Sequence, residues 1–407
     1  MNAGIVIIGA GECGARAAFV LREYGYEEPI TLIGSEAHPP YERPPLSKSQ
    51  GASAPVVVAP RDKYASERID LRTSCTVTRI DPDLQLVHFA EGDPIKYDKL
   101  LLTTGATPRM LRGISPASKR ILPMRTFEHA LGIKCLLGPT RRTIIVGGGF
   151  IGLEVGAMAR AAGTEVVILE TQSRVLTRGV PQTIADTLVE RHRQEGVRFE
   201  CGIQIEAVRE TDDAVEVELA DGRTLTADSL VVGIGVVPNT QLAEAAGLVI
   251  DNGIAVNELL ETSAANIYAA GDCCSFPSAI YDGRRVRLES WRNTQDQGIH
   301  AAKMLLGKPD TLASVPWMWS DQYDLTLQVA GLADGSERSV VRNYEDGSRI
   351  IFHLGADGRL LAASGIGVGN SIARDMKLSE MLIAARAEPD PDHLSDPSFK
   401  LKSILPR

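Results

Sequence analysis

Two stretches of the chain share one hydrophobic signature. Near the start, the apolar run Ile5–Ile8 meets a glycine turn and then a segment with small residues on one face, reading IVIIGAGECGARAAFVLREYG. From Thr143 the same order recurs as TIIVGGGFIGLEVGAMARAAG. Each is followed by a second apolar run that closes on an acid, ITLIGSE to Glu36 and EVVILE to Glu170. Short, unbroken apolar runs suit parallel strands buried on both faces, so the pattern predicts a βαβ unit twice over, with helices covering both faces of each sheet.

The repeat extends further. After the first unit, VTRIDPDLQLVHFAEGDPIKYDKLLLTTGATPR alternates and turns as a β-meander does before entering the buried strand YDKLLLTTG. A like passage, AVEVELADGRTLTADSLVVGIGVVPN, follows the second unit. The helix TQDQGIHAAKMLLG then leads to a region from about Pro316 in which LTLQVAGL, ERSVVRNY, RIIFHL and RLLAASGIG read as short antiparallel strands before the helix SIARDMKLSEMLIAARA. A chain of 407 residues exceeds what one hydrophobic core organises. The expected division is a discontinuous first domain of 1–110 and 241–315, a second of 111–240, and a smaller C-terminal α+β domain of 316–407. The tail after Pro389 is expected to be mobile.

Composition narrows the chemistry. A formal net charge of −9, with no Lys/Arg block, argues against a nucleic-acid partner. No apolar stretch reaches membrane-spanning length, so no membrane association is expected. The start runs into GIVIIGAG without a signal-peptide pattern, and a cytoplasmic location is expected. Cys13, Cys75, Cys135, Cys201, Cys273 and Cys274 form no C-x-x-C pair and no metal-ligand spacing. Reduced, mostly buried thiols and no metal site are the expectation.

Gly9, Gly11 and Gly14 form G-x-G-x-x-G between a strand and a helix. The first permits the tight turn, the second lets backbone amides approach a pyrophosphate, and the third lets helix and strand pack closely. Glu36 then supplies a carboxylate for ribose hydroxyls. Gly147, Gly149 and Gly152 repeat the arrangement with Glu170. Two such units imply two dinucleotides, one resident and one visiting. A carboxylate at Glu170 repels a 2′-phosphate and favours NADH over NADPH, although Arg174 nearby is a cation able to serve that phosphate.

GAGECGARAA, YERPPLSK from Tyr41, TTGATPR from Thr103, GGGFIGLE from Gly147, GIGVVPN from Gly233, IYAAGDC from Ile267, RLESW from Arg287 and PWMWSDQYDLTLQVAG from Pro316 occur in that order. Together they resemble the FAD-dependent, NADH-dependent ferredoxin reductase components of bacterial aromatic-ring dioxygenase and cytochrome monooxygenase systems. That family includes putidaredoxin reductase and is itself similar to apoptosis-inducing factor. The likeness covers nearly the whole chain, and YERPPLSK and WSDQYDL are its narrower signals. The fold it implies is α/β, with two Rossmann-like dinucleotide-binding domains of the glutathione-reductase-like kind plus the C-terminal α+β domain.

The resemblance also implies roles. FAD occupies the first domain. Asp272 meets a ribityl hydroxyl, with a plain turn aspartate as the alternative. Arg43 lies toward the FAD phosphates and Lys48 near the isoalloxazine, where a cation stabilises the reduced ring; otherwise both are surface cations. Arg109 and Arg125 are further FAD contacts or, failing that, interdomain arginines. Glu154, expected on the first turn of the second unit's helix, orients the nicotinamide and pairs with Lys48, although a helix dipole alone favours an acid there. Trp291 lies at the flavin edge toward a ferredoxin, or is a core aromatic. Trp317, Trp319 and Tyr323 are expected to pack rather than relay electrons.

FAD accepts a hydride and can release electrons singly, which a nicotinamide cannot. The expected activity is therefore NADH:ferredoxin oxidoreduction. The acceptor is a small iron–sulfur protein, a two-iron ferredoxin or alternatively a rubredoxin, that serves an oxygenase. Arg284, Arg285, Arg287 and Arg292 are candidate docking cations. An NADH oxidase, peroxidase or disulfide reductase is a second reading, opposed by Ser47 where such enzymes need a cysteine. An NADH-responsive signalling flavoprotein is a third. Monomer and homodimer stay open, since the C-terminal domain can serve as dimer interface or docking surface.

Overall fold

The computed structural model describes residues 3–48 and 53–405. It divides into two compact units: Met1–Glu42 with Ala54–Thr107 and Val237–Pro316, and Arg43–Ser53 with Pro108–Val236 and Trp317–Arg407.

In the first unit the parallel sheet runs in the order Ile267–Ala269, Lys99–Leu102, Ile5–Ile8, Ile30–Ile33, Ile69–Arg72. Ile5–Ile8 is central, with Ile5 opposite Ile30 on one side and Lys99 on the other. All four of its residues are buried, as a strand covered on both faces requires. Ala15, Ala17 and Ala18 of the helix Glu12–Glu23 are small enough to seat that helix against the sheet and against the helix Trp291–Leu305. At Gly298 in the latter, a Cβ would stand 2.8 Å from the Cys13 carbonyl oxygen, so only glycine permits this approach. The meander expected after the first βαβ unit is present as an antiparallel sheet of Val77–Asp81, Leu86–Phe89 and Ile95–Lys96.

The second unit repeats the plan. Its parallel sheet has the order Arg198–Cys201, Glu165–Glu170, Arg142–Val146, Ser229–Val232, Ile121–Pro123. The strand Val215–Leu219 buries Val215, Val217 and Leu219 while Glu216 and Glu218 lie partly exposed, the period-two pattern of a half-buried antiparallel strand.

The same unit carries the C-terminal antiparallel sheet, ordered Trp317–Gln322, Leu325–Gly331, Leu360–Val368, Arg349–Leu354, Arg338–Asn343. The helix Ala373–Ala384 covers it, and at Gly365 a Cβ would meet Ile372 at 2.8 Å and Met376 at 2.9 Å. Trp317–Gln322 was not expected as a strand. Its sequence WMWSDQ lacks clean hydrophobic alternation, because the buried positions toward Gln322 are filled by the polar Ser320 and Gln322, with Asp321 exposed between them.

The tail corrects a second expectation. The described residues beyond Pro389, up to 405, are packed rather than loose, forming the helix Pro391–Ser395 and a 3-10 turn Leu401–Ile404, with Leu394 and Leu401 buried. The anchor is Arg342, 1% exposed on the strand Arg338–Asn343. Its guanidinium donates to the carbonyls of His393, Leu394, Pro397 and Phe399, and Asp375 balances its charge at 3.5 Å. A polar tail is thus held by carbonyl acceptors that no hydrophobic pattern announces. Arg342→Leu leaves those acceptors and Asp375 without their cation, and a loss of about 3–5 kcal/mol is expected. Urea denaturation and trypsin cleavage at Lys400 and Lys402 check it; unchanged stability with an uncleaved tail refutes the anchoring role.

Candidate active site

The first glycine turn is built by backbone crowding. Gly9 has φ +119°, and a Cβ there would overlap the Thr103 carbonyl, while one at Gly14 would overlap the Gly9 carbonyl. The Thr103 hydroxyl closes the turn by donating to that same Gly9 carbonyl at 2.8 Å. Gly11 differs: it caps the helix Glu12–Glu23 in extended conformation, and a Cβ on it meets nothing within 4 Å. Open space before an uncapped helix N-terminus, with backbone N–H groups facing it, fits a pyrophosphate. Glu36 lies beyond the strand Ile30–Ile33 and accepts a hydrogen bond from the Tyr41 hydroxyl.

The second turn matches it. Gly147 has φ +107° and abuts the Gly233 carbonyl, Gly152 abuts Gly147, and the space at Gly149 is open. Glu170 closes the strand Glu165–Glu170 and accepts from the N–H of Gly148 at 2.7 Å and of Gln172 at 2.8 Å. Arg174, a possible phosphate cation by sequence, is committed elsewhere: it donates to the carbonyls of Val175, Leu176 and Val180 at 3.0–3.1 Å.

Within the second unit, Lys48 and Glu154 come together although 106 positions separate them, the difference of their numbers. Pro44 and Pro45 open the 3-10 helix Pro44–Ser47, and Lys48 follows as its C-cap. Its Nζ stands 3.8 Å from Glu154 Oε1, 3.2 Å from Asp321 Oδ2 and 4.8 Å from the centre of the Trp319 ring. Glu154 is 5% exposed; it accepts from the Ser47 hydroxyl and, at 2.6 Å, from that of Ser320. Burial pushes its carboxyl up, while Lys48, Ser320 and Ser47 pull against that shift.

Glu154 is the fifth residue of the helix Phe150–Ala161, one position past the first turn where it was expected. The dipole explanation for an acid at this site therefore loses its force, and the paired cation and hydroxyls take its place. Trp319 stacks on Trp317 with centroids 5.4 Å apart and donates its indole N–H to Asp321. It shapes the Lys48 pocket through a cation–π contact, as a packing residue.

The other expected residues fall into both units. Arg43 donates to the Arg125 carbonyl, which brings that pair together, whereas the Arg109 side chain is exposed and only its backbone N–H is fixed, on Gly235. Asp272 lies in the turn Gly271–Cys273, held by a hydrogen bond from Gly271 N–H to Gln297 Oε1 at 2.6 Å. Trp291 opens the helix Trp291–Leu305, whose first turn is capped by Ser290. The candidate docking arginines are engaged locally: Arg284 over the Tyr281 ring at 5.1 Å from its centroid, Arg285 on the Ser275 and Val256 carbonyls, Arg287 with Glu289, and Arg292 with Asp296.

Glu12 was missed. It is the residue after Gly11, and its carboxylate accepts from the Gln295 amide and faces the Trp291 indole N–H. Burial, then Glu42, pushes its carboxyl up to about 7. The available signal was an acid at the start of a helix whose neighbours are all small.

The thiols are free: Cys13, Cys273 and Cys274 are buried, but Cys135 and Cys201 are exposed, so burial is less general than expected. Burial pushes the thiols of Cys13, Cys273 and Cys274 up, which disfavours thiolate chemistry.

Residues 3–298 match the family of pyridine nucleotide-disulphide oxidoreductases, and residues 317–405 match the reductase C-terminal domain. The chain belongs to the pyridine nucleotide-disulphide oxidoreductase family. It is 38% identical over 405 residues to the ferredoxin–NAD(+) reductase component of the anthranilate 1,2-dioxygenase system of Burkholderia cepacia, covering 98% of each chain. It is 36% identical to putidaredoxin reductase of Pseudomonas putida, over 99% of this chain and 97% of the relative. The crystal structure of the covalent putidaredoxin reductase–putidaredoxin complex superposes with a TM-score of 0.92 at 36% identity, covering 98% of this chain and 97% of the other. No helix among the described residues is long and apolar enough to cross a membrane.

Glu12 makes a pH prediction. Its folded-state value of about 7 exceeds the ordinary 4.5, so between those values the folded chain binds a proton that the unfolded chain has released. This group therefore lowers stability as pH rises through that window, and the penalty is complete above it. Glu12→Gln cannot ionise, so the stability of the variant relative to the parent should rise from pH 5 to pH 8. Urea titrations at both pH values measure it, and a difference that does not change with pH overturns the assignment.

Proposed function

We propose that this protein is an NADH:ferredoxin oxidoreductase that passes electrons from NADH through FAD to a small iron–sulfur protein, a two-iron ferredoxin of a bacterial oxygenase system. The observation that carries the reading is the end-to-end match, C-terminal domain included, to reductases named for ferredoxin and putidaredoxin. Residues 1–110 with 241–315 hold FAD, 111–240 hold NADH, and 316–407 form the C-terminal domain in this reading. The reductant, held inside the cell, implies a cytoplasmic site of action.

FAD, when bound, takes up a hydride and gives out electrons singly. The chain's own residues supply position and charge. Gly9, Gly11 and Gly14 present backbone N–H groups to the FAD pyrophosphate, and Glu36 and Asp272 accept from ribose and ribityl hydroxyls. Arg43, Arg109 and Arg125 balance the FAD phosphates, and Trp291 lies toward the acceptor protein. Lys48 would bring a positive charge to the flavin ring and so favour its taking up electrons. Gly147, Gly149 and Gly152 receive the NADH pyrophosphate, and Glu154 orients the nicotinamide. No side-chain acid or base is needed for hydride transfer, so positioning is the whole task of these groups.

Glu170 and the committed Arg174 favour NADH, since a 2′-phosphate would meet the Glu170 anion while Arg174 is held by carbonyls of its own loop. A thiol-based alternative is disfavoured because Ser47 stands at the position it needs filled by cysteine, and Ser47 donates to Glu154 instead.

Stopped-flow reduction of the FAD-loaded protein, followed by transfer to a panel of two-iron ferredoxins and rubredoxins, tests the reading. Rapid bleaching by NADH and onward reduction of at least one two-iron ferredoxin are expected, while bleaching without onward transfer to any of them defeats the acceptor assignment. In the same assay kcat/KM for NADH should exceed that for NADPH by about tenfold or more, the worth of one unscreened like-charge contact. Equal values would remove the role given to Glu170.

A further inference from the structure

Behind Glu154 the second unit buries a line of polar side chains that electron transfer does not call for. Ser320 and His192 are 0% exposed and Gln322 is 1% exposed. The Tyr323 hydroxyl stands 3.2 Å from His192 Nδ1, and His192 Nε2 is 2.7 Å from Gln322 Oε1. Gln322 Nε2 is 3.0 Å from Ser320 Oγ, which is 2.6 Å from Glu154 Oε1. The line joins the helix Gln182–Gln194, the strand Trp317–Gln322 and the helix Phe150–Ala161.

Its direction follows from donor and acceptor identities. An amide oxygen only accepts and an amide nitrogen only donates. With the Gln322 oxygen on His192, the imidazole carries its proton on Nε2, and Nδ1 accepts from Tyr323. Ser320 accepts from the Gln322 nitrogen and so donates to Glu154. Every donor points toward the carboxylate. Turning the line round would aim a Ser320 lone pair at Glu154, the arrangement a buried carboxylate tolerates least. Burial also pushes His192 down, which keeps it neutral with the single proton this order needs. Because an amide in the middle does not pass protons, the line orients and does not conduct.

We propose that Tyr323, His192 and Gln322 are positioning residues for the reaction: through Ser320 they hold the Glu154 carboxylate in one orientation beside Lys48, ready for the nicotinamide. The inference rests on the reading that Glu154 serves NADH. Tyr323, remote from the carboxylate, matters because its hydroxyl gives the buried His192 Nδ1 a donor and so supports the Nε2-protonated tautomer that Gln322 requires. The charged groups facing the line are Lys48 and Asp321 at the Glu154 end, and Arg191, Glu195 and Arg160 at the other.

The test uses the full-length FAD-loaded protein with Gln322→Leu, Tyr323→Phe and Glu154→Gln. Tyr323→Phe keeps the ring over which Arg191 lies 4.8 Å from the centroid, so it remains informative if Gln322→Leu fails to fold. The infrared band of the protonated Glu154 carboxyl, assigned by its loss in Glu154→Gln, is followed against pH without NADH. It should persist to higher pH in both line variants than in the parent, because the carboxylate has lost an oriented donor. KM for NADH should rise about threefold to tenfold with kcat toward an artificial acceptor nearly unchanged. A folded Tyr323→Phe protein whose Glu154 titrates as in the parent overturns the proposal. If Glu154→Gln itself leaves KM for NADH unchanged, the role of Glu154 falls, while the infrared titration still decides whether the line orients it.

Discussion

Burying a carboxylate sets terms for everything around it. Glu154 lies in a helix whose other neighbours are Leu153, Val155 and Gly156, where an uncompensated anion is costly. Compensation comes from far along the chain: Lys48 from the cap of a short proline-led helix, Ser47 beside it, and Ser320 from the C-terminal sheet. Arg43 to Lys48 belong to the second unit although Glu42 before them belongs to the first, so this short stretch brings its cation to a carboxylate of its own unit. The C-terminal sheet is likewise more than an appendage, since its first strand supplies Ser320, Asp321 and Gln322.

The two nucleotide units solve one packing problem twice and then diverge where function begins. Both use a left-handed glycine under a carbonyl of a neighbouring strand, Thr103 in one and Gly233 in the other. Their terminal acids are held differently. Glu36 is met by a tyrosine hydroxyl, whereas Glu170 is fastened by N–H groups of its own turn and of Gly148. Backbone donors on two sides hold the Glu170 carboxylate in one place. Glu12 is the converse case, a half-buried acid whose carboxyl is pushed up to about 7 by burial and then by Glu42.

The sequence by itself determined the doubled βαβ plan, because buried parallel strands and glycine turns leave signals within a few residues of one another. Ile5–Ile8, Arg142–Val146 and both glycine triplets are legible from local periodicity and sterics alone. Family likeness added Lys48, Glu154, Asp272 and Trp291, residue types that carry no local signal of their role. Only the tertiary structure decided what these side chains touch. It moved Glu154 beyond the reach of the dipole argument, tied Arg174 to its own loop, packed the tail onto Arg342, and exposed Cys135 and Cys201. The Arg174 and Arg342 outcomes depend on a polar atom finding carbonyl partners in an irregular loop or distant in sequence. Hydrophobic periodicity reports which face of an element is buried, whereas a hydrogen bond is set by positions and angles that exist only once the chain has folded.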